Sequence, residues 1–406
     1  MSWARWASLA DQVMSNASNW LFTVLVAGIA APAAFGRFAV GYSVFTFAVS
    51  VLRTGLSYQV SMKAGDRDAL HEESRRAVGA TLAVALPLAV VVLAVVGLGS
   101  GTVPALAWGL AVATPFVLTQ DLLRYAAVAA DRTNAALLSD SLWTALLLVA
   151  VALRTQGLLS VSGLVLLWVT GSILAAAILV WALRIAPLLK GAGDWIRRSW
   201  RGRVHVVGGG LINGASVPLT AGIVAFVAGP VVAAGVAGAG LLMAPVNSLV
   251  AWMSLTLLAR ASAEDGSRRR AVFLKVGLGA AALAAGWGLM LFFVPESIGH
   301  ALLGQAWPMS IQAIPVIWIQ HALAVLAATG NFYLISIART RAVLGNGVVV
   351  AVARTALGSL AAFLIGSVFA AATAETLAMA VWLGAVIWYL RPRDGADAKV
   401  RAATVS

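Results

Sequence analysis

The chain has 406 residues, of which 61% are hydrophobic and only 11% charged, against about 45–50% and about 25% in a soluble globular domain. With a mean hydropathy of +0.93, most of the chain must have lipid as its solvent, which excludes a water-soluble protein. The absence of cysteine removes disulfide scaffolds, thiolate metal sites and thiol nucleophiles, and a net charge of +13 spread over short loops does not make a nucleic-acid-binding face.

A bilayer core of about 30 Å takes about 20 apolar residues per helix. That ruler predicts twelve spans, at 14–31, 37–58, 78–98, 105–128, 140–154, 160–185, 204–228, 231–257, 272–294, 310–336, 344–369 and 373–390. The polar start SLADQVMSNASNW marks the first as a retained helix rather than a signal peptide. The fifth is the shortest, its apolar core LWTALLLVAVAL bracketed by Asp140 and Arg154. An even count puts both termini on one side. With that side cytoplasmic, 25 of the 28 Lys and Arg fall in inside segments, leaving Arg37 and Arg154 outside and Arg354 within a span.

The expected fold class is an all-α polytopic membrane protein with about twelve transmembrane helices in two six-helix lobes. Residues 1–190 form the N-terminal lobe, 191–203 a basic cytoplasmic linker, 204–390 the C-terminal lobe and 391–406 a basic cytoplasmic tail. A duplication explains the halves: span one enters with SNASNW and runs to AAPAAFG, span seven enters with GGGLINGAS and runs to VAGPVVAAG. Pro32 and Pro230 precede Gly36 and Gly235 in the two turns, although short loops use Pro and Gly for other reasons too. The glycines of spans seven and eight serve either close helix packing or bending.

Charged groups within a span are costly and face a partner or a watery cavity. Arg354 lies roughly 15–20 Å into span eleven from Arg341 by the helical rise, facing a polar cavity or paired with a carboxylate such as Glu375 or Asp140. Arg53 lies ten residues before Lys63 and either snorkels or stays within the membrane. In TQDLLRY, Asp121 and Arg124 share a helix face and either neutralise each other or form a coupling or head-group site. Asp11, Gln12, Asn16 and Asn19 give span one a polar stripe, an interfacial start or a cavity wall. Span ten carries Gln312, Gln320, His321 and Asn331, with His321 either a hydrogen-bonded interior group or a proton carrier. The four histidines (His71, His205, His300, His321) are scattered, which argues against a metal centre. The segment KAGDRDALHEESRR, with its D-x-D at Asp66 and Asp68, reads as a solvated loop. The outer segments GSGTVP and PESIGHALLGQAWP are too short for the catalytic loop of a membrane glycan polymerase or ligase, so no enzyme is expected.

The run LADQVMSNASNWLFTVLVAGIAAPAAFGRFAVGYSVF, followed by VLRTGL, resembles the opening of the polysaccharide-exporter and oligosaccharide-flippase group of the MATE-like (MOP) flippase superfamily. The carriers of the resemblance are Asp11 and Gln12, the turn Pro32 to Gly36, and Arg53, over about 60 residues. The resemblance implies a transporter in the inner (plasma) membrane that flips an undecaprenyl-diphosphate-linked oligosaccharide, or a similar lipid-linked glycan, from the cytoplasmic to the outer leaflet by alternating access. Arg53, Arg124 and Arg354 would meet the diphosphate, Asn16, Asn19, Gln320 and His321 the glycan, and Asp121 and Asp11 a coupling Na+ or H+. Besides that substrate the expected partners are membrane lipids, with no cofactor, metal or nucleic acid. The competing reading is a cation-coupled small-molecule or multidrug antiporter on the same fold.

Overall fold

The computed structural model describes residues 3–57, 60, 67–97, 104–201, 204–250, 253, 266–337 and 339–391, and every regular element among them is helical. In chain order the long helices are α1 (Trp3–Ile29), α2 (Pro32–Leu52, continued by a π turn, Arg53–Ser57), α3 (Arg67–Gly97), α4 (Pro104–Ala129), α5 (Thr133–Thr155) and α6 (Val161–Leu183). The second set is α7 (Val204–Val227), α8 (Pro230–Leu242), α9 (Gly266–Met290), α10 (Ile314–Ser336), α11 (Thr340–Leu364) and α12 (Val368–Leu390). Among the described residues ten helices are long and apolar enough to cross a membrane, and eleven when α8 is joined to the bent segment after it. The 27 residues of α1 are long enough for one more. The protein is therefore a multi-pass membrane protein.

The same packing recurs in each half. In the first, α1 lies on α5, α3 on α4, and α6 on both α4 and α5; in the second, α7 lies on α11, α9 on α10, and α12 on both α10 and α11. Four pairings repeated at a shift of six helices are what a duplication leaves, and they give two lobes. Across them, α2 packs on α7 and α8.

Several expected bounds shift: α1 starts at Trp3 rather than 14 and α9 at Gly266 rather than 272. α5 starts at Thr133 rather than 140, because Ser139 and Asp140 are buried against partners instead of ending the span. α3 starts at Arg67, so most of the expected loop is helix, carrying Asp68 in its first turn and a Glu72–Arg76 pair of 3.0 Å one turn apart; residues 61–66, with Asp66, lie outside the described residues. The basic linker contains a helix, Ala192–Arg201.

α8 bends by 58° before Ala244–Val250. Pro245 is the physical cause: it has no N–H for the Leu241 carbonyl, and its ring collides with that turn. Val246 N–H turns to the Met243 carbonyl, so Leu242 loses its partner as well. Two indoles satisfy the freed oxygens, Trp20 Nε1 donating to Leu241 at 3.0 Å and Trp287 Nε1 to Leu242 at 2.8 Å.

At the end of the bundle away from the chain termini the lobes are fastened together. A Cβ on Gly36 would overlap the Pro230 carbonyl oxygen, so the α1–α2 and α7–α8 turns meet backbone to backbone. Gly304, at φ +55°, lies against the Gly28 backbone, and Arg154 donates to the Ala301 carbonyl at 2.7 Å. Gly36→Ala must push these turns apart, because neither is a flexible side chain. The chain has no cysteine, so a single Val40→Cys reporter in the inter-lobe cavity described below reads this cleanly. We expect Gly36→Ala to raise its labelling by an impermeant thiol reagent from the far side at least severalfold.

Candidate functional site

Intramembrane charges gather in two places, one per lobe. In the first lobe, the π turn that ends α2 presents Arg53 to α4, where it grips Asp121 through Nη2–Oδ1 at 2.6 Å and Nε–Oδ2 at 3.2 Å, with its guanidinium 5.9 Å from the Tyr125 ring centre. Arg124 points the other way. Its Nη1 donates to Ser15 Oγ at 2.7 Å, and its Nε lies 2.9 Å from Asp140 Oδ2, an ion pair rather than a well-aligned hydrogen bond. Gln120 donates to Asp140 at 2.6 Å and to Ser139 at 3.2 Å. The expected Asp121–Arg124 neutralisation along one helix is present only as a 3.7 Å contact. The cluster holds two arginines and two carboxylates. Only the Arg53 side chain, 30% exposed against 8% or less for the other three, is accessible.

In the second lobe Arg354 donates through Nε to Glu375 Oε2 at 2.9 Å, and through Nη1 to Ser216 Oγ at 3.0 Å and Asn213 Oδ1 at 3.3 Å. Both sequence readings of Arg354 therefore meet: it is paired, and it lines a cavity of about 280 Å³. Gln320 and His321 of α10 share that wall, facing Ala39, Val40 and Ser43 of α2 across the lobe boundary. His321 Nδ1 lies 2.9 Å from the Ile317 carbonyl, so Nδ1 carries the proton. Most of the remaining wall is small and apolar, from α7, α8 and α12. Thr220, on this wall, was not singled out by its sequence: its buried hydroxyl has no hydrogen-bond partner.

The two clusters sit at equal depth. Ser15 and Asn213 each precede the turn proline of their lobe, Pro32 or Pro230, by seventeen residues, and each bonds an arginine from another helix. The charges differ in origin: α4 gives the arginine and α5 the acid in the first lobe, α11 and α12 in the second. None of Arg53, Asp121, Arg124 and Asp140 lines the cavity at Arg354, whose wall on α2, at Ser43, lies ten residues, roughly 15 Å along the helix, from Arg53, so the clusters are not one site.

Asn19 and Asn16 take other positions. Asn19 donates to the Ser15 carbonyl at 3.0 Å and accepts from the Tyr42 hydroxyl at 3.3 Å. Tyr42 belongs to an aromatic cluster in which Phe22 stacks on Trp168 at 4.2 Å, so Asn19 serves packing between α1 and α2. Asn16 is half-buried on α1. Asp11 and Gln12 lie in α1 with their side chains outside the described residues.

No family model matches the sequence, and no curated protein matches it. Solved structures share its fold. The inward-facing conformation of a multidrug resistance MATE family transporter of the MOP superfamily superposes with a TM-score of 0.70 at 14% identity, over 94% of this chain and 97% of that one. The lipid II flippase MurJ in an inward closed conformation gives 0.69 at 11% identity, over 96% and 87%. The outward-facing conformation of a multidrug resistance MATE family transporter gives 0.59 at 15% identity, over 94% and 92%. The chain thus has the two-lobe, MATE-like fold of these membrane proteins.

Proposed function

We propose that the protein is a transporter working by alternating access between its lobes, 1–190 and 204–390 about the linker 191–203, and that its cargo is a lipid-linked oligosaccharide carried from the cytoplasmic to the outer leaflet. With both termini cytoplasmic, the fastened end of the bundle faces outward. The observation that carries the reading is the inter-lobe cavity: an apolar trough with one polar patch, Arg354–Glu375 with Gln320 and His321. Such a wall suits a cargo that is part lipid, part anion and part hydroxyl-rich glycan. Arg53, the accessible cation of the first lobe, lies outside this cavity and would meet the phosphate at a different stage of the cycle, with Arg124 behind it.

The multidrug-antiporter reading has the same fold in its favour. It needs a membrane carboxylate that a proton or Na+ can occupy, and among the described residues Asp121, Asp140 and Glu375 each sit on an arginine. Of these, Asp121 next to the accessible Arg53 is the best coupling candidate. Deleting the gene and following lipid-linked sugars separates the readings. We expect a glycolipid to accumulate on the inner leaflet and the wild type to clear it. An unchanged glycolipid profile with altered drug sensitivity overturns the flippase and establishes the antiporter.

A further inference from the structure

A second trough lies on the outer face of the second lobe, at the end of the bundle nearest the termini. It encloses about 480 Å³ between α9, α10 and α12. Each helix contributes a stripe at helical spacing: Arg270, Phe273 and Gly277 from α9, Leu326, Gly330 and Tyr333 from α10, Leu383, Val386 and Leu390 from α12, with Arg391 just past its end. Polarity is sorted along it. Arg270, Tyr333 and Arg391 stand at the terminal end, and the seven or eight residues inward on each helix, about 12 Å, reach the apolar residues Leu278, Leu326 and Leu383. That length spans most of one leaflet's hydrocarbon, about 15 Å. Both arginines are exposed, and among the described residues neither is paired with a carboxylate. Leu274 and Ile387 on the rim are 59% and 50% exposed.

The first lobe shows what normally covers this face. Helices α3, α4 and α6 occupy there the places of α9, α10 and α12. The chain leaving α6 folds back over them: Leu188 N–H bonds the Arg75 carbonyl at 3.0 Å, and Ile185, Ala192 and Trp195 are buried beneath. The chain leaving α12 reads PRDGADAKVRAATVS. Valine is its only large apolar residue type, where the first-lobe segment has Ile185 and Trp195. We infer that one anionic phospholipid fills the second-lobe trough, its phosphate between Arg270 and Arg391 and an acyl chain along the apolar floor. The inference is independent of what the inter-lobe cavity carries.

The test is native mass spectrometry of the full-length protein titrated with phosphatidylglycerol or with phosphatidylcholine of the same acyl chains. Wild type should retain one phosphatidylglycerol in preference. Two arginines near a head group are worth enough that Arg270→Gln/Arg391→Gln should lower this preference about tenfold or more. Arg197→Gln/Arg341→Gln, two exposed arginines elsewhere, should leave it unchanged. A preference that survives the first double variant, or falls equally in the second, overturns the site. So does increased lipid retention after removal of residues 392–406, which would make the tail the occupant. Displacement of phosphatidylglycerol by equimolar polyprenyl phosphate would overturn the choice of a bulk phospholipid.

Discussion

Asp140→Ala should be the most destabilising single substitution in the first lobe. The side chain of Asp140 is 1% exposed and carries two loads, the ion pair with Arg124 and the hydrogen bond from Gln120. Its loss leaves two arginines sharing Asp121 and strands a guanidinium that is 6% exposed. Removing one partner of a buried pair costs about 3–5 kcal/mol, whereas replacing both with apolar groups of similar volume is close to neutral. The purified Asp140→Ala protein should therefore melt several degrees below wild type or fail to accumulate. Arg124→Met/Asp140→Leu should recover most of that loss, since Arg53 and Asp121 still balance each other. A wild-type melting curve for Asp140→Ala would mean that water reaches Arg124, and the cluster would then count as part of an open cavity.

The architecture was legible because membrane spans are set by length and polarity alone: runs of about 20 apolar residues and the placement of Lys and Arg give helices, order and expected orientation. The errors share one cause. A hydropathy ruler ends a helix wherever it meets a charge, so it cut α5 at Asp140 and made a loop of what is the first part of α3. Pairings across helices were illegible. Sequence spacing put Arg124 with Asp121, because residues three apart share a face, yet the better partners come from α2 and α5. Glu375 was nameable as a partner for Arg354 only as one of two acids. The kink in α8 has a visible signal in Pro245, but nothing local announces that Trp20 and Trp287 will take its freed carbonyls. Asn19, expected at an interfacial start or on a cavity wall, accepts from the Tyr42 hydroxyl of α2, a partner that spacing within α1 could not name. Thr220 gave no signal, since threonine is common in membrane helices.

Arg354→Ala should abolish transport, and the reason can be separated from folding. The side chain of Arg354 is 12% exposed and that of Glu375 17%, both on the cavity wall. Removing the guanidinium changes that wall from neutral to negative, which opposes an anionic cargo, and deletes charge-assisted hydrogen bonds worth about 1.5–3 kcal/mol each. Rescue of the deletion strain, measured as the rate of glycolipid clearance, should fall on the order of 10- to 100-fold. Arg354→Lys should be intermediate, since an ammonium can meet Glu375 but cannot fork to Asn213 and Ser216 as well. The decisive protein is Arg354→Ala/Glu375→Ala, which has no stranded charge and should melt close to wild type. If Arg354 touches the cargo, this stable double variant stays as inactive as Arg354→Ala. If clearance returns with stability, the pair only joins α11 to α12, and the phosphate contact must be sought at Arg53.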